Sequence, residues 1–216
     1  MSSFPVILSS PSGGGKTTIA QRLLARRSDL GYSISCTTRS PRAGEIDGVD
    51  YFFLTPEEFQ IARERGEFAE SADVHGRFYG TLRREVDRVL GEGRHVIMDI
   101  DVQGSEQFAA SYPDSVLIFI LPPNGQVLLD RLAARGTEDP DSMARRLKSA
   151  IRELRAIGLY RYVVVNADLE KAVSAVSEII DAEAAKRERV PGLDDRVEGI
   201  VHDLERQLEH IIRSQL

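Results

Sequence analysis

Val6-Ile7-Leu8-Ser9-Ser10-Pro11-Ser12-Gly13-Gly14-Gly15-Lys16-Thr17-Thr18-Ile19-Ala20 is the stretch that decides the fold. The apolar run between Pro5 and Ser9 predicts a buried strand, and the residues after Thr18, through Gln21-Arg22-Leu23-Leu24, predict a helix. The loop between them suits a polyanion. Three consecutive glycines let backbone amides turn inward with no Cβ in the way, and Lys16 adds a mobile cation where β- and γ-phosphate oxygens would sit. Thr17 offers a hydroxyl to Mg²⁺, and the helix starting there turns its positive end toward the same anion. The pattern G-x-x-x-x-G-K-[ST] is met except at its first position, where Ser10 stands for glycine. Ser10 suffices if it only turns out of the strand with negative φ, which is the expectation. The motif points to a nucleoside triphosphate with Mg²⁺ and leaves the reaction open.

Length and composition bound the rest. A chain of 216 residues, 42% hydrophobic and 29% charged, reads as one medium domain with appendages and a proper core. No apolar run approaches the ~20 residues of a membrane-spanning helix. Met1-Ser2-Ser3-Phe4-Pro5 carries no export signal, and the single cysteine, Cys36, excludes an internal disulfide; both fit a cytoplasmic protein. Cys36 reads as a small buried strand residue rather than a nucleophile. A net charge of −6 argues against bulk binding to nucleic acid or an anionic membrane. Anion recognition must then be local, and the arginines do cluster: Arg39 and Arg42; Arg83, Arg84 and Arg88; Arg131, Arg135, Arg145 and Arg146.

Along the chain, a strand with alternating hydroxyls is expected over Gly31–Arg39, followed by a turn-rich loop and a short strand at Asp50–Leu54. Thr55 reads as the N-cap of a helix with Pro56 at its first position. Glu67–Ala72 and Arg77–Thr81 read as strands joined at His75-Gly76. The block 35–82 therefore looks like an inserted, strand-rich substrate-binding subdomain. Beyond it the pattern predicts a helix at Arg83–Leu90, buried strands at His95–Asp101 and Ser115–Leu121, and a helix at Val127–Ala134. A polar loop at Arg135–Asp141 precedes a helix with Met143, Leu147, Ile151 and Leu154 on one stripe. A last buried strand, Tyr162–Asn166, leads into a helix from Leu169 to about Arg187. Strands alternating with helices predict an α/β fold, an open parallel sheet covered on both faces, with ligands beyond the carboxyl ends of the strands. The phosphate loop, Asp99, Asp101 and Asn166 all fall at that edge. After Arg189-Val190-Pro191-Gly192 an amphipathic helix carries Val197, Ile200, Val201, Leu204, Leu208, Ile211 and Ile212 on one face. That face either packs on the parent domain or makes a homo-oligomer contact. His75, His95, His202 and His210 lack metal-ligand spacing and default to structural or surface roles.

Asp99 ends the strand expected beside the phosphate loop, where a Mg²⁺-organising carboxylate is needed, and alternation along a strand would put Asp101 on the same face. The phosphate loop, Ser35 to Arg42, Gly44-Glu45, Asp50-Tyr51, Glu70, Tyr79-Gly80-Thr81, Asp99-Ile100-Asp101 with Gln103-Gly104, Arg135-Gly136-Thr137-Glu138 and Val165-Asn166 together resemble guanylate kinase. The resemblance covers about residues 4–187.

It implies a P-loop three-layer sandwich: a guanylate kinase-like domain at 1–188 and a helical extension at 189–216. Within the domain it implies a core (1–34, 83–130, 158–188), a GMP-binding subdomain (35–82) and a helical lid (131–157). The implied reaction is phosphoryl transfer from ATP with Mg²⁺ to GMP, and to dGMP as an expected second acceptor. The implied ATP site is Ser12, Gly13, Gly14, Gly15, Lys16, Thr17, Thr18 and Asn166, the last against adenine; Thr17 and Asp99 serve the metal, partly through water. Glu70, helped by Asp101, would accept the guanine N1–H and N2 amine, while Ser35 and Thr81 offer hydroxyls to O6. Adenine lacks that donor pattern, and a site built for hydrogen bonds can reject such an analogue ~10⁴-fold. Arg39, Arg42, Tyr51 and Tyr79 resemble the clamp for the GMP phosphate, whose charge suits guanidinium forks. Lys16, Arg39, Arg135 and Arg146 resemble the catalytic cations, the last two carried by the lid. Two other readings are a non-catalytic interaction module on this fold and a P-loop kinase for another phosphorylated small molecule. The retained cations disfavour the first, and the guanine-type donor and acceptor set disfavours the second.

Overall fold

The computed structural model describes residues 2–74, 76–134 and 140–214, the side chains of 140–142 and 208–214 excepted. A parallel sheet of five strands forms the body, in the order β2 (Leu30–Tyr32), β7 (His95–Asp99), β1 (Pro5–Ser9), β8 (Val116–Leu121), β9 (Tyr162–Val165). All of β1 is buried because it is the middle strand, with neighbours on both edges and helices on both faces. Alternation divides its side chains. Val6 and Leu8 face a core built with Ile19 and Leu23 of α1 (Lys16–Arg26) and Val173, Val176 and Ile180 of α7 (Leu169–Ala184). Ile7 faces the other core, with Val86 and Val89 of α3 (Arg83–Gly91) and Phe108 of α4 (Val102–Ser111).

The second sheet has the order β4 (Phe52–Phe53), β3 (Ser35–Thr37), β6 (Arg77–Leu82), β5 (Phe68–Val74). One face is apolar: Cys36, Phe68 and Leu82 pack on Phe59 and Ala62 of α2 (Pro56–Glu64). Helix α2 starts where expected, with Thr55 and Glu58 in a reciprocal capping box and Pro56 in the first turn. Burial pushes the Cys36 thiol up to about 12, so it is an inert core residue. The register pairs Ser35 with Thr81, Thr37 with Tyr79 and Glu70 with Thr81, which gathers these polar side chains on the opposite face. The sheet is a folded half-core presenting a polar wall.

Several expectations are corrected. The strand expected over Gly31–Arg39 is two strands in different sheets: β2 pairs in parallel with β7, then the chain leaves at Ser33-Ile34 so that β3 can pair with β6. The strand expected at 50–54 shortens to Phe52–Phe53, because Asp47 takes the Phe53 amide at 2.9 Å and the Tyr51 carbonyl accepts from Gly48. The strand expected through Asp101 ends at Asp99; Asp101 N-caps α4, accepting from Gly104 N at 2.7 Å. Asp99 and Asp101 are therefore not alternate residues on one strand face. The last strand, β9, lies at the sheet edge with Val163 and Val165 about half exposed. On α6 (Pro140–Arg155), Met143, Leu147 and Leu154 pack with Ala150 against α5 (Gly125–Ala133), whereas Ile151 faces solvent. Arg135–Asp139 and His75 lie outside the described residues.

Helix α8 (Leu193–Ser214) exposes Val197, Ile200, Val201 and Leu204, so the described part of its apolar stripe is not packed on the parent domain. Its root is fastened: the buried Glu183 carboxylate meets the Tyr162 hydroxyl, Lys186 at 2.6 Å and Arg189 at 3.6 Å, and the Arg189 guanidinium covers the Phe4 ring at 4.0 Å. His95 has the structural role expected of it, accepting from Phe4 N at 3.2 Å.

Candidate active site

The phosphate loop joins β1 to α1 at the carboxyl edge of the parallel sheet. Gly13 (φ 84°) and Gly15 (φ 96°) occupy the left-handed region, which side chains with a Cβ rarely enter. Gly14 is required for a different reason: a Cβ there would lie 2.5 Å from Cβ of Ser10. Ser10, at the motif's departure, is buried and donates its hydroxyl to Pro11 O at 3.0 Å. Asn166 Nδ2 donates to Gly14 O at 2.9 Å, and Arg131 of α5 donates to Asn166 O at 3.2 Å. The Asn166 amide thus braces the loop backbone. Lys16 opens α1, and the exposed Thr17 and Thr18 follow.

Thr17 Oγ1 donates to Asp99 Oδ2 at 2.5 Å, while Tyr32 OH donates to Asp99 Oδ1 at 2.9 Å. This pairing joins the loop to the end of β7, as the strand order requires. A cleft of 770 Å³ opens above the loop, lined also by Asp73 and Val74 of β5, Asp101, Val102 and Gln103 around the start of α4, and Arg146, Ser149 and Glu153 of α6. Glu153 Oε2 accepts from the loop amide of Ser12 at 3.3 Å, and its other oxygen accepts from Ser149 at 3.1 Å. Arg146 Nη1 donates to Leu132 O at 3.3 Å, and Arg135 is outside the described residues.

The second sheet meets this cleft through Asp73 and Val74, on the strand that also carries Glu70. Glu70 is buried, 6% exposed, and Oε1 accepts from the Thr81 hydroxyl at 2.7 Å. Burial pushes its carboxyl up to about 7; the Thr81 hydrogen bond works against that rise and the nearby Asp101 charge adds to it. Gly104 is held open for it, since a Cβ there would meet Glu70 Oε2 at 2.6 Å and Ile100 Cγ2 at 2.5 Å. Gly104→Ala is accordingly expected to push the Glu70 carboxylate aside and lower the melting temperature by several degrees, read by thermal unfolding.

Arg39, Arg42, Tyr51 and Tyr79, expected from the sequence as an anion clamp, are bonded and packed within the protein. Arg39 forms a bidentate pair with Glu45, both contacts at 2.6 Å, and the Arg42 amide donates to the same carboxylate at 2.7 Å. The Arg39 guanidinium holds the Glu45 carboxyl at about 2, and lies over the Tyr51 ring at 4.9 Å. Tyr51 in turn meets Tyr79 edge-on at 6.2 Å. A carboxylate in the fork of Arg39 occupies the position a phosphate would take.

The guanylate kinase family model matches residues 2–183. The chain belongs to the guanylate kinase family. It is 44% identical over 185 residues to a guanylate kinase of Clostridium perfringens, covering 86% of each chain. It is 45% identical over 184 residues to one of Symbiobacterium thermophilum, covering 85% of this chain and 87% of the relative. The crystal structure of guanylate kinase from Anaplasma phagocytophilum superposes with a TM-score of 0.75 at 34% identity, covering 91% of this chain and 94% of that one. The guanylate kinase reaction is the ATP-dependent phosphorylation of GMP to GDP. Among the described residues no helix is long and apolar enough to cross a membrane, and no group of three or more His, Cys, Asp or Glu could hold a metal. Tyr32, Arg131 and Glu153 were missed in these roles, since no local spacing ties Ser12 to a carboxylate 141 residues away.

Proposed function

We propose that this chain transfers the terminal phosphoryl group of ATP to GMP across the cleft between the phosphate loop and the polar wall of the second sheet. The observation that carries the reading is Glu70, a buried carboxylate with one oxygen on Thr81 and the other given room by the missing side chain of Gly104. Guanine N1–H and N2 amine are the donors such an acceptor needs, and Ser35 beside Thr81 offers a hydroxyl to O6. Arg39, Arg42, Tyr51 and Tyr79 take the GMP phosphate, which displaces Glu45 from the Arg39 fork. Lys16 and the loop amides hold the donor phosphates, Arg135 and Arg146 of the lid meet the transferring group, and Asp101 stands behind Glu70. The attacking oxygen belongs to an ionised phosphate, so no side chain has to remove a proton from it. Catalysis is positioning, charge stabilisation and exclusion of water as the lid closes.

The hydroxyl of Thr17 and the carboxylate of Asp99 are hard oxygen donors already held against each other, a set that suits Mg²⁺ with phosphate and water completing its shell. Bound there with ATP, Mg²⁺ would neutralise charge on the β- and γ-phosphates. The same reading admits dGMP as acceptor, and the single buried thiol Cys36 supports a cytoplasmic setting.

ADP formation by purified protein with ATP and Mg²⁺, supplied with GMP, AMP, CMP or UMP separately, tests the reading. Rapid turnover with GMP and at least 10²-fold less with the others is expected. Equal turnover with AMP would overturn the role given to Glu70.

A further inference from the structure

Asp99 has two carboxylate oxygens with different partners, and the second partner lies outside the phosphate-loop motif. Tyr32 is the last residue of β2, paired in register with Ile97 of β7. Side chains two apart on a strand share a face, so Tyr32, Ile97 and Asp99 stand on one side of the sheet. The Tyr32 ring is half-buried against the core between the sheet, α1 and α7. Its hydroxyl reaches Asp99 Oδ1 at 2.9 Å, leaving Oδ2 for Thr17 at 2.5 Å.

We propose that Tyr32 is a positioning residue for phosphoryl transfer, holding the Asp99 carboxylate in the orientation that presents Oδ2 to Thr17 and to Mg²⁺-bound nucleotide. The terminal torsion of an aspartate is broad, so packing alone leaves the plane of the carboxylate loosely set. A donor on one oxygen fixes a preferred plane and leaves the other oxygen to the cation. The ring is set by the core and the hydroxyl by the ring, so the preference is built into the fold before nucleotide arrives. The inference rests on the reading of Thr17 and Asp99 as the metal-holding pair.

Tyr32→Phe keeps the ring in its core position and removes only the donor. The test is the dissociation constant of a non-hydrolysable ATP analogue, measured by calorimetry with Mg²⁺ and with excess chelator, for the wild type, Tyr32→Phe and Asp99→Asn. Tyr32→Phe is expected to lose about tenfold of the affinity that Mg²⁺ confers, with metal-free analogue affinity, GMP affinity and melting temperature unchanged. Asp99→Asn is expected to lose nearly all of the Mg²⁺-dependent part. If Tyr32→Phe matches the wild type while Asp99→Asn fails, the positioning role is overturned and the metal reading stands. If neither variant changes the Mg²⁺ dependence, the metal reading itself falls and the inference with it. A fall in GMP affinity and melting temperature alongside the ATP effect would make Tyr32 a structural residue and overturn the proposal equally.

Discussion

Lys16→Ala is expected to lower GMP-dependent turnover by on the order of 10³-fold while the protein stays folded. Lys16 opens α1 beside glycines whose left-handed backbone turns the loop around an anion, and it lines the cleft rather than the core. It is the loop's one cation, and under the proposed function it meets the charge on the transferring phosphoryl as the bond to ADP breaks. The apolar residues that hold α1 in place are Ile19 and Leu23, so removing the ammonium leaves the packing of the helix intact. Single-turnover ADP formation, thermal unfolding and GMP affinity together check this: turnover collapses while the other two hold. Full activity in the variant would remove the phosphate loop from the mechanism.

Glu70→Gln is expected to weaken GMP binding by 10- to about 100-fold and leave ATP binding nearly unchanged. An amide offers one acceptor where guanine presents two donors, and its own NH₂ opposes one of them. The pH dependence carries a sign. With its carboxyl raised to about 7, Glu70 in the empty site is protonated below that pH and must ionise to accept from guanine. Wild-type affinity for GMP should therefore fall about tenfold per pH unit below 7 relative to Glu70→Gln, in which that dependence is absent. Ionisation of the GMP phosphate affects both proteins and cancels in the ratio. Stability runs the opposite way. Because folded Glu70 holds its proton more tightly than the unfolded chain, ligand-free stability declines as pH rises from about 4.5 to 7 and stays reduced above it. The cost is roughly 3 kcal/mol, so ligand-free Glu70→Gln should melt several degrees above the wild type at pH 8. A pH-independent affinity ratio, or an unchanged melting temperature at pH 8, would show that Glu70 is ionised at no cost and is not the buried reader of the base.

Glu45 and Glu153 share a feature under the proposed reading. Each sets a carboxylate on groups that phosphate would engage, Glu45 on the Arg39 fork and Glu153 on the Ser12 amide.

Local chemistry carried much of this protein in its sequence. A β-branched run, three glycines, a lysine and a threonine specify strand, anion loop and helix start within fifteen residues, because each requirement is met by neighbours along the chain. The same holds for the Thr55 cap and for Pro56 at the first position of α2. What the sequence did not settle lies where distant segments compete for one residue's groups. Gly31–Arg39 reads as one strand by composition, but its halves belong to different sheets because β7 claims the first and β6 the second. Asp99 and Asp101 read as alternate strand residues until Gly104 N captures the second as a helix cap. The burial of Val163 and Val165 depended on strand order, which placed β9 at an edge. The tertiary structure alone decided that Tyr32 meets Asp99, Glu153 meets Ser12 and Asn166 meets Gly14, and that Gly104 makes room for Glu70. Spacing along the chain predicts contacts within an element; contacts across 67 to 152 residues follow from which strands pair and in what register.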